Sequence, residues 1–565
     1  MRNERKADDG IIGRLAKGLR LAIGGKSRAD TTSIAPANPD PNEVSPPQAS
    51  PTATDLINEG LRQRQRLGTA AALPFFERAA KLEPNFHLPA LMLGNAATEL
   101  GDLDSAVAHY LRARDIRPND HLIRYNLGLT QIWRGYGDAA IEELDAARRI
   151  DPSYLAARTA YLLALHNSDR VGSGDLAAAI REIGALYGEQ RPANLETAQS
   201  ARTEKLRVGF VSGDFRTHSV AHFFEPILNA RQRDAFDYLC YSTCSQSDAV
   251  TERLRADADA WRDVWKLDDD ALADQIRNDR IDILVDLSGH TEFNRLPLFA
   301  RRAAPVQITY LGFPNSTGVA AMDYRITDAV TDPGAVADEL HAEKLLRLPD
   351  SQWCFRPFGT RLPPSPLPAL ENGFVTFGSF NNLIKSSDTL LDCWKQILLK
   401  VPNSRLRITR VRSPQRAAEI VSQFARSGIV SERIECIAYK KAVPHGLQFT
   451  GVDIALDPFP YNGVTTTCET LHSGVPVVSM YGASCVSRSG LSILGSAGLG
   501  ELAASSPSQY VEIAAALGLD LVRLDRLRSG LRARFDQSPL RDERRFAANF
   551  EELLRRAWKQ HRGEG

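Results

Sequence analysis

From Leu206 to the C-terminal region the chain alternates short apolar runs with longer amphipathic stretches. The runs Arg207–Ser212, Tyr238–Ser242, Asp282–Leu287 and Gln307–Tyr310 are too short and too continuously apolar for surface helices. They predict buried parallel strands joined by helical crossovers. A proline-rich bridge runs from Pro357 to Pro368. The pattern then restarts with Phe374–Gly378, Arg405–Ile408, Arg433–Ile437, Val452–Leu456 and Pro476–Ser479. Two consecutive doubly wound α/β halves predict a ligand cleft at the carboxyl ends of their strands.

Before Leu206 the period is helical and longer. Pro84, Pro118 and Pro152 are 34 residues apart, and in the same phase Gly94 matches Gly128, Gly101 matches Gly135 and Ala106 matches Ala140. Leu82, Ile116 and Ile150 also line up. A 34-residue period with Gly in the first helix, Ala in the second and Pro at its end predicts about three tetratricopeptide helix pairs, with a degenerate pair reaching residue 190. One pair cannot bury its apolar face alone, so the pairs stack into an all-α superhelix whose groove suits extended peptide.

Residues 27–54 hold six prolines among Ser, Thr, Ala and Asp, which predicts a disordered linker. Ahead of it Ile11, Leu15, Leu19 and Ile23 recur at i+4 beside Arg14, Lys17, Arg20 and Lys26. That segment reads as a frayed tail, or as a basic amphipathic helix touching a membrane surface over residues 10–26.

Composition narrows the class further. The 565 residues carry 69 basic and 69 acidic side chains, which gives no global attraction to nucleic acid. Seven cysteines lie at 240, 244, 354, 393, 436, 468 and 485 with no Cys-x-x-Cys pair, which predicts reduced thiols, no structural metal and a cytoplasmic location.

The richest stretch is residues 453–480. The strand Ile454–Leu456 meets a breaker cluster, Asp457–Gly463, and Thr465, Thr466 and Thr467 open a helix that ends at Gly474. Small hydroxyl residues at a helix start present free N–H groups and the positive end of the dipole, a seat for phosphate.

Four ordered blocks resemble the SPINDLY/O-GlcNAc transferase family. They are Val208–Val220, Asp282–Thr291 with Gly312–Gly318, Thr376–Lys385, and Tyr461–Thr470 followed by Gly474–Val477. The resemblance covers residues 55–560. It implies a GT-B fold, two Rossmann-like domains facing a cleft, preceded by the tetratricopeptide superhelix. The expected organisation is an N-terminal segment and linker (1–54), repeats (55–195), an acceptor-side domain (205–356), a linker (357–373) and a donor-side domain (374–560). It also implies a metal-independent, inverting protein O-glycosyltransferase acting on Ser or Thr, with a nucleotide-sugar as substrate and no cofactor.

The family's matched lysine places its charge on the leaving diphosphate, which makes Lys385 the first catalytic candidate. Thr465, Thr466 and Thr467 would add donors, Glu469 would reach the ribose, and Asn382 and His445 would contact the donor. In the first half His218 is the candidate base, because its pKa near neutrality suits removal of a hydroxyl proton. Asp214 and His222 are its neighbours, with His222 at i+4 and able to share a helix face. His290 is expected to point into the same cleft. Gly312 and Pro314 fall on a loop, Gly312–Gly318, expected to be flexible enough for acceptor backbone to approach.

Val464 and Glu469 replace the His and Asp that animal O-GlcNAc transferases place around the threonine pair. Plant SPINDLY members transfer fucose from GDP-fucose, whereas bacterial members are taken to use UDP-N-acetylglucosamine, so both donors are weighed. The protein partner would bind through the repeats, with a flagellar or surface protein as one client class. An inactive adaptor is the alternative from another class, and the retained Lys385 and threonine cluster argue against it.

Overall fold

The computed structural model describes residues 50–188, 205–359, 363–439 and 447–564. The basic N-terminal segment and nearly all of the proline-rich linker lie outside them. The described chain forms two compact units, one of residues up to Ile132 with Glu142–Ala157, the other of Trp133–Ile141 with Arg158 onward.

The first unit is helical, with the helices Ala53–Leu67, Leu73–Leu82, His87–Leu100 and Leu103–Ile116 stacked in pairs. The repeat residues explain the stacking. A Cβ on Gly94 would stand 2.5 Å from the Tyr110 ring, so glycine there lets the next helix close in. Tyr110 is buried and donates its hydroxyl proton to Asn95 Oδ1 at 2.8 Å. Gly101 ends its helix at φ +83°, a left-handed cap that suits glycine.

The second unit holds two parallel sheets. The first contains β1 (Leu206–Ser212), β2 (Phe236–Ser242), β3 (Ala260–Asp263), β4 (Ile283–Asp286), β5 (Val306–Thr309), β6 (Tyr324–Asp328) and β7 (Lys344–Leu348), in the order β3-β2-β1-β4-β5-β6-β7. The second contains β8 (Thr376–Ser379), β9 (Arg405–Val411), β10 (Ile434–Ala438), β11 (Ile454–Leu456), β12 (Val477–Met480) and β13 (Ala503–Ala504), in the order β10-β9-β8-β11-β12-β13. Strand order reverses between β1 and β4 and again between β8 and β11. Ligands of such sheets bind beyond the carboxyl ends at these switch points.

Three features differ from the sequence-based expectation. First, β3, β6, β7 and β13 were not predicted. Second, the last helix, Glu543–His561, places Phe546, Phe550 and Leu554 in the core with Val208, Phe210 and Ile308 of the first sheet. The expected donor-side span 374–560 therefore returns to the first half, because that face of the first sheet needs an apolar cover. Third, the loop Gly312–Gly318, expected to be flexible, is packed and hydrogen-bonded along its length. A Cβ on Gly312 would lie 2.0 Å from the Leu287 carbonyl oxygen, and one on Gly184 of the helix Ser173–Ala185 would lie 1.9 Å from that of Gly318. Glu343 accepts from Ser316 Oγ at 2.6 Å and from the Thr317 N–H at 2.7 Å, so the loop is pinned on both sides.

Among the described residues no helix is long and apolar enough to cross a membrane, and all seven cysteines are free of disulfides.

Candidate active site

β8 delivers its chain end to the switch point, where Leu383–Lys385 forms a 3-10 turn. The Lys385 ammonium donates to the Asn462 carbonyl at 3.0 Å and sits 3.7 Å from the centroid of the Tyr461 ring. Asn462 is fully buried; its amide donates to the carbonyls of Pro458 (2.8 Å) and Met480 (3.1 Å) and accepts from the Gly490 N–H at 3.1 Å. Those bonds hold the Asp457–Gly463 loop in shape beneath the lysine.

Asp457, at the end of β11, is the buried centre of the loop. Its carboxylate accepts from the Gly463 N–H (2.9 Å), Ser479 Oγ (2.7 Å) and Thr467 Oγ1 (3.3 Å). Burial pushes this carboxyl up to about 6, against the hydrogen bonds and the nearby charge of Lys385. Burial likewise pulls Lys385 down to about 8, opposed by Asp457 and reinforced by the Arg410 guanidinium. The site thus sets the Lys385 ammonium, with Arg410 nearby, against a loop built around the buried Asp457 carboxylate.

The helix Thr465–His472 begins without any side-chain cap. Its first-turn N–H groups have no partner inside the helix and point from the same loop that carries Tyr461 and Asn462. Thr465 and Thr466 are half-buried at that start. Thr467 is different: its buried hydroxyl lies 3.0 Å from the Gly463 carbonyl and 3.3 Å from Asp457, so it braces the loop instead of facing a ligand. Glu469 is half-buried on the next turn. Asn382 is exposed and offers its carbonyl to the Lys385 N–H at 3.0 Å. It is Asn381 that faces the loop, with Nδ2 3.1 Å from where a Gly463 Cβ would stand. His445 lies outside the described residues.

A fixed ammonium beside an uncapped helix start, at a sheet switch point, is an arrangement that holds a phosphate or diphosphate. The Glycosyl transferase family 41 profile matches residues 180–355 and 367–550, and a TPR repeat profile matches 94–132. The chain belongs to glycosyl transferase family 41. It is 38% identical over 426 residues to the probable UDP-N-acetylglucosamine–peptide N-acetylglucosaminyltransferase SPINDLY of Solanum lycopersicum, covering 73% of this chain and 45% of that protein. The Arabidopsis thaliana protein of the same name is 37% identical over 423 residues, covering 73% and 46%. The chain thus spans less than half the length of these curated relatives. A solved structure of a Thermobaculum terrenum O-GlcNAc transferase mutant superposes with a TM-score of 0.80 at 34% identity, covering 90% of this chain and 98% of that one. The two parallel-sheet domains are the GT-B fold.

In the first half of this family 41 chain, His218 lies in the turn before the helix Ala221–Ala230. Asp214 Oδ2 is 3.5 Å from His218 Nδ1, and Arg216 is 3.7 Å from the other carboxylate oxygen. The Val220 N–H also reaches Nδ1, at 3.3 Å. Burial lowers the His218 pKa, with Asp214 opposing, so the imidazole is neutral near pH 7. The same desolvation raises Asp214.

The other first-half candidates make contacts within the fold. His222 is buried, stacks on Phe358 at 3.8 Å, and hydrogen-bonds through Nδ1 to the Arg356 carbonyl at 2.7 Å. It does not share a helix face with His218, because the helix starts only at Ala221. His290 is buried too; Nε2 bonds the Thr317 carbonyl at 2.8 Å and burial pulls its pKa down to about 4. It braces the Gly312–Gly318 loop instead of opening to a cleft, and Phe313 packs edge-on between it and His166. Gly312 leaves room for the Leu287 backbone. Pro314 offers its carbonyl to Arg325 (3.0 Å) and to the Cys485 thiol (3.1 Å).

Sequence reasoning missed Asp457, Asn462 and Arg410. Asp457 ends a strand beside the switch point, the signal that could have found it. Arg410 adopts φ +60° at the end of β9, which no sequence pattern announces.

Proposed function

We propose that this chain is a protein O-glycosyltransferase that moves N-acetylglucosamine from UDP-N-acetylglucosamine to serine or threonine, with inversion and without a metal ion. The observation that carries the reading is the Lys385 ammonium beside the uncapped start of the helix Thr465–His472. The names borne by the SPINDLY relatives and the bacterial O-GlcNAc transferase likeness support this donor and a peptide acceptor.

In the proposed step the acceptor oxygen attacks the anomeric carbon from the face opposite the nucleotide. The new C–O bond forms as the bond to the β-phosphate breaks, and the electron pair leaves on that phosphate. Lys385 and the first-turn N–H groups of Thr465 and Thr466 neutralise the growing charge without reorganising. The hydroxyl proton passes to His218 Nε2. That role needs the His218 proton on Nδ1, turned to Asp214 Oδ2 at 3.5 Å in place of the 3.3 Å contact that Nδ1 accepts from the Val220 N–H, so Asp214 acts as a positioning residue. Glu469 is assigned to the ribose hydroxyls, and the tetratricopeptide groove to the protein substrate, in the cytoplasm.

Thermal-shift titration with UDP, GDP, UDP-N-acetylglucosamine and GDP-fucose tests the reading. A ligand at 100 times its dissociation constant stabilises the fold by about 2.7 kcal/mol. Selective stabilisation by the uridine compounds is expected. Selective response to guanosine compounds would replace the donor with GDP-fucose, and no response to any would overturn both donors.

A further inference from the structure

Asp332, His341 and Cys485 meet where the two sheet-bearing halves face each other. Asp332 follows β6 and His341 follows the helix Gly334–Leu340, whereas Cys485 lies on the loop after β12. One ligand atom from each lies within 4.8 Å of the others. His341 Nδ1 donates to the Ala337 carbonyl at 2.8 Å, which leaves the lone pair on Nε2. That nitrogen is buried without a hydrogen-bond partner, 3.6 Å from Asp332 Oδ1. The two side chains are only 2% and 3% exposed. Arg325 and Thr327 both hold the other oxygen, Asp332 Oδ2, at 2.6 Å, which turns Oδ1 toward the imidazole. Beside the cluster is a cavity of about 90 Å³, lined by Asn315, Thr331, Ala337 and Ser484, with room for water at a fourth position.

We propose that Asp332, His341 and Cys485 bind a divalent cation of the zinc or cobalt class that ties the two halves together. An imidazole, a thiol and a carboxylate are the ligand types zinc takes, and a tetrahedral site puts their donor atoms roughly 3.3–3.8 Å apart. The cluster, its ligand atoms within 4.8 Å of one another, therefore needs only about an ångström of closure. The hydrogen bond from His341 to Ala337 is the outer-shell contact that fixes a metal-binding imidazole. The Pro314 carbonyl, on losing the thiol proton, keeps Arg325 as its donor. The metal proposal does not rest on the transferase reading, although the Cys485 loop touches the donor loop, where the Asn462 N–H donates to the Val486 carbonyl at 3.1 Å.

Cobalt titration of the chelator-treated full chain tests it. One equivalent of Co²⁺ should give a thiolate-to-cobalt charge-transfer band, absent in Cys485→Ser. His341→Gln should weaken cobalt binding by at least about tenfold. Both variants should melt near the metal-free wild type, and Zn²⁺ should raise the melting temperature of wild type but not of Cys485→Ser. If either variant fails to fold, the other carries the test. No band at stoichiometric cobalt, or a band equal to wild type in either folded variant, would overturn the proposal and leave a metal-free polar cluster held by the Arg325–Asp332 ion pair.

Discussion

The Lys385 ammonium lies 3.7 Å from the centroid of the Tyr461 ring and donates to the neighbouring Asn462 carbonyl at 3.0 Å. The charge is therefore held by the loop that would carry the phosphates, before any ligand arrives. Lys385→Ala should lower the rate of transfer by about 10²–10³-fold, the usual cost of losing one preorganised charge-stabilising donor. Its melting temperature should stay level or rise, because the variant no longer buries an ammonium. Single-turnover kinetics beside a thermal melt would separate these outcomes, and a large loss of stability would contradict them.

The same burial makes donor affinity depend on pH. Free Lys385 is held near 8, and the diphosphate favours its protonated form. Affinity for UDP-N-acetylglucosamine, whose diphosphate does not titrate there, should be flat below about pH 8. It should fall by up to about tenfold per pH unit above it. Calorimetric titration between pH 7 and 9.5 reads this directly, and Lys385→Ala should lose the slope.

Asp457 holds the loop from below. Asp457→Ala removes both acceptor oxygens, so the Gly463 N–H, Ser479 and Thr467 lose their shared partner. A buried group left unpaired costs about 1–3 kcal/mol, and chemical denaturation should show a loss of that size. Donor affinity should fall as well, because the loop positions both Asn462 and the helix start.

His218 and Asp214 make separable predictions. His218→Ala should cost about 10²–10⁴-fold in transfer with donor affinity unchanged, as for a lost general base. Asp214→Asn keeps the shape but changes the hydrogen bonding at Nδ1. It should lower the rate less and move the acid limb of the pH–rate profile downward, since the carboxylate no longer favours the imidazolium. An unmoved profile would remove Asp214 from the positioning role.

Much of this molecule was legible in the sequence, for physical reasons that also mark where reading failed. The central strands were found because burial on both faces forces continuous apolar runs. β3 escaped because its residues, Ala-Trp-Arg-Asp, form a half-exposed edge. β6 escaped for the opposite reason: Arg325 and Asp328 are polar yet buried, paired with Asp332 and with Ser492 and the Gln352 N–H respectively. Lys385 was singled out through its motif, and Thr465 and Thr466 through helix-start chemistry; the structure sets Lys385 against the Asn462 carbonyl and the two threonines at the uncapped helix start. His222 and His290 were misplaced because spacing cannot tell a rim histidine from one buried against aromatic rings. Asp457 was read as a breaker, since its partners Ser479 and Thr467 come from later elements.

In the proposed function Lys385 and the start of the helix Thr465–His472 serve sugar transfer to protein. The most direct test is mass spectrometry of proteins co-expressed with wild type and with Lys385→Ala. N-acetylhexosamine is expected on serine or threonine with wild type, and at most traces with the folded variant. Equal modification by both, or none with wild type while UDP-N-acetylglucosamine still binds, would contradict it.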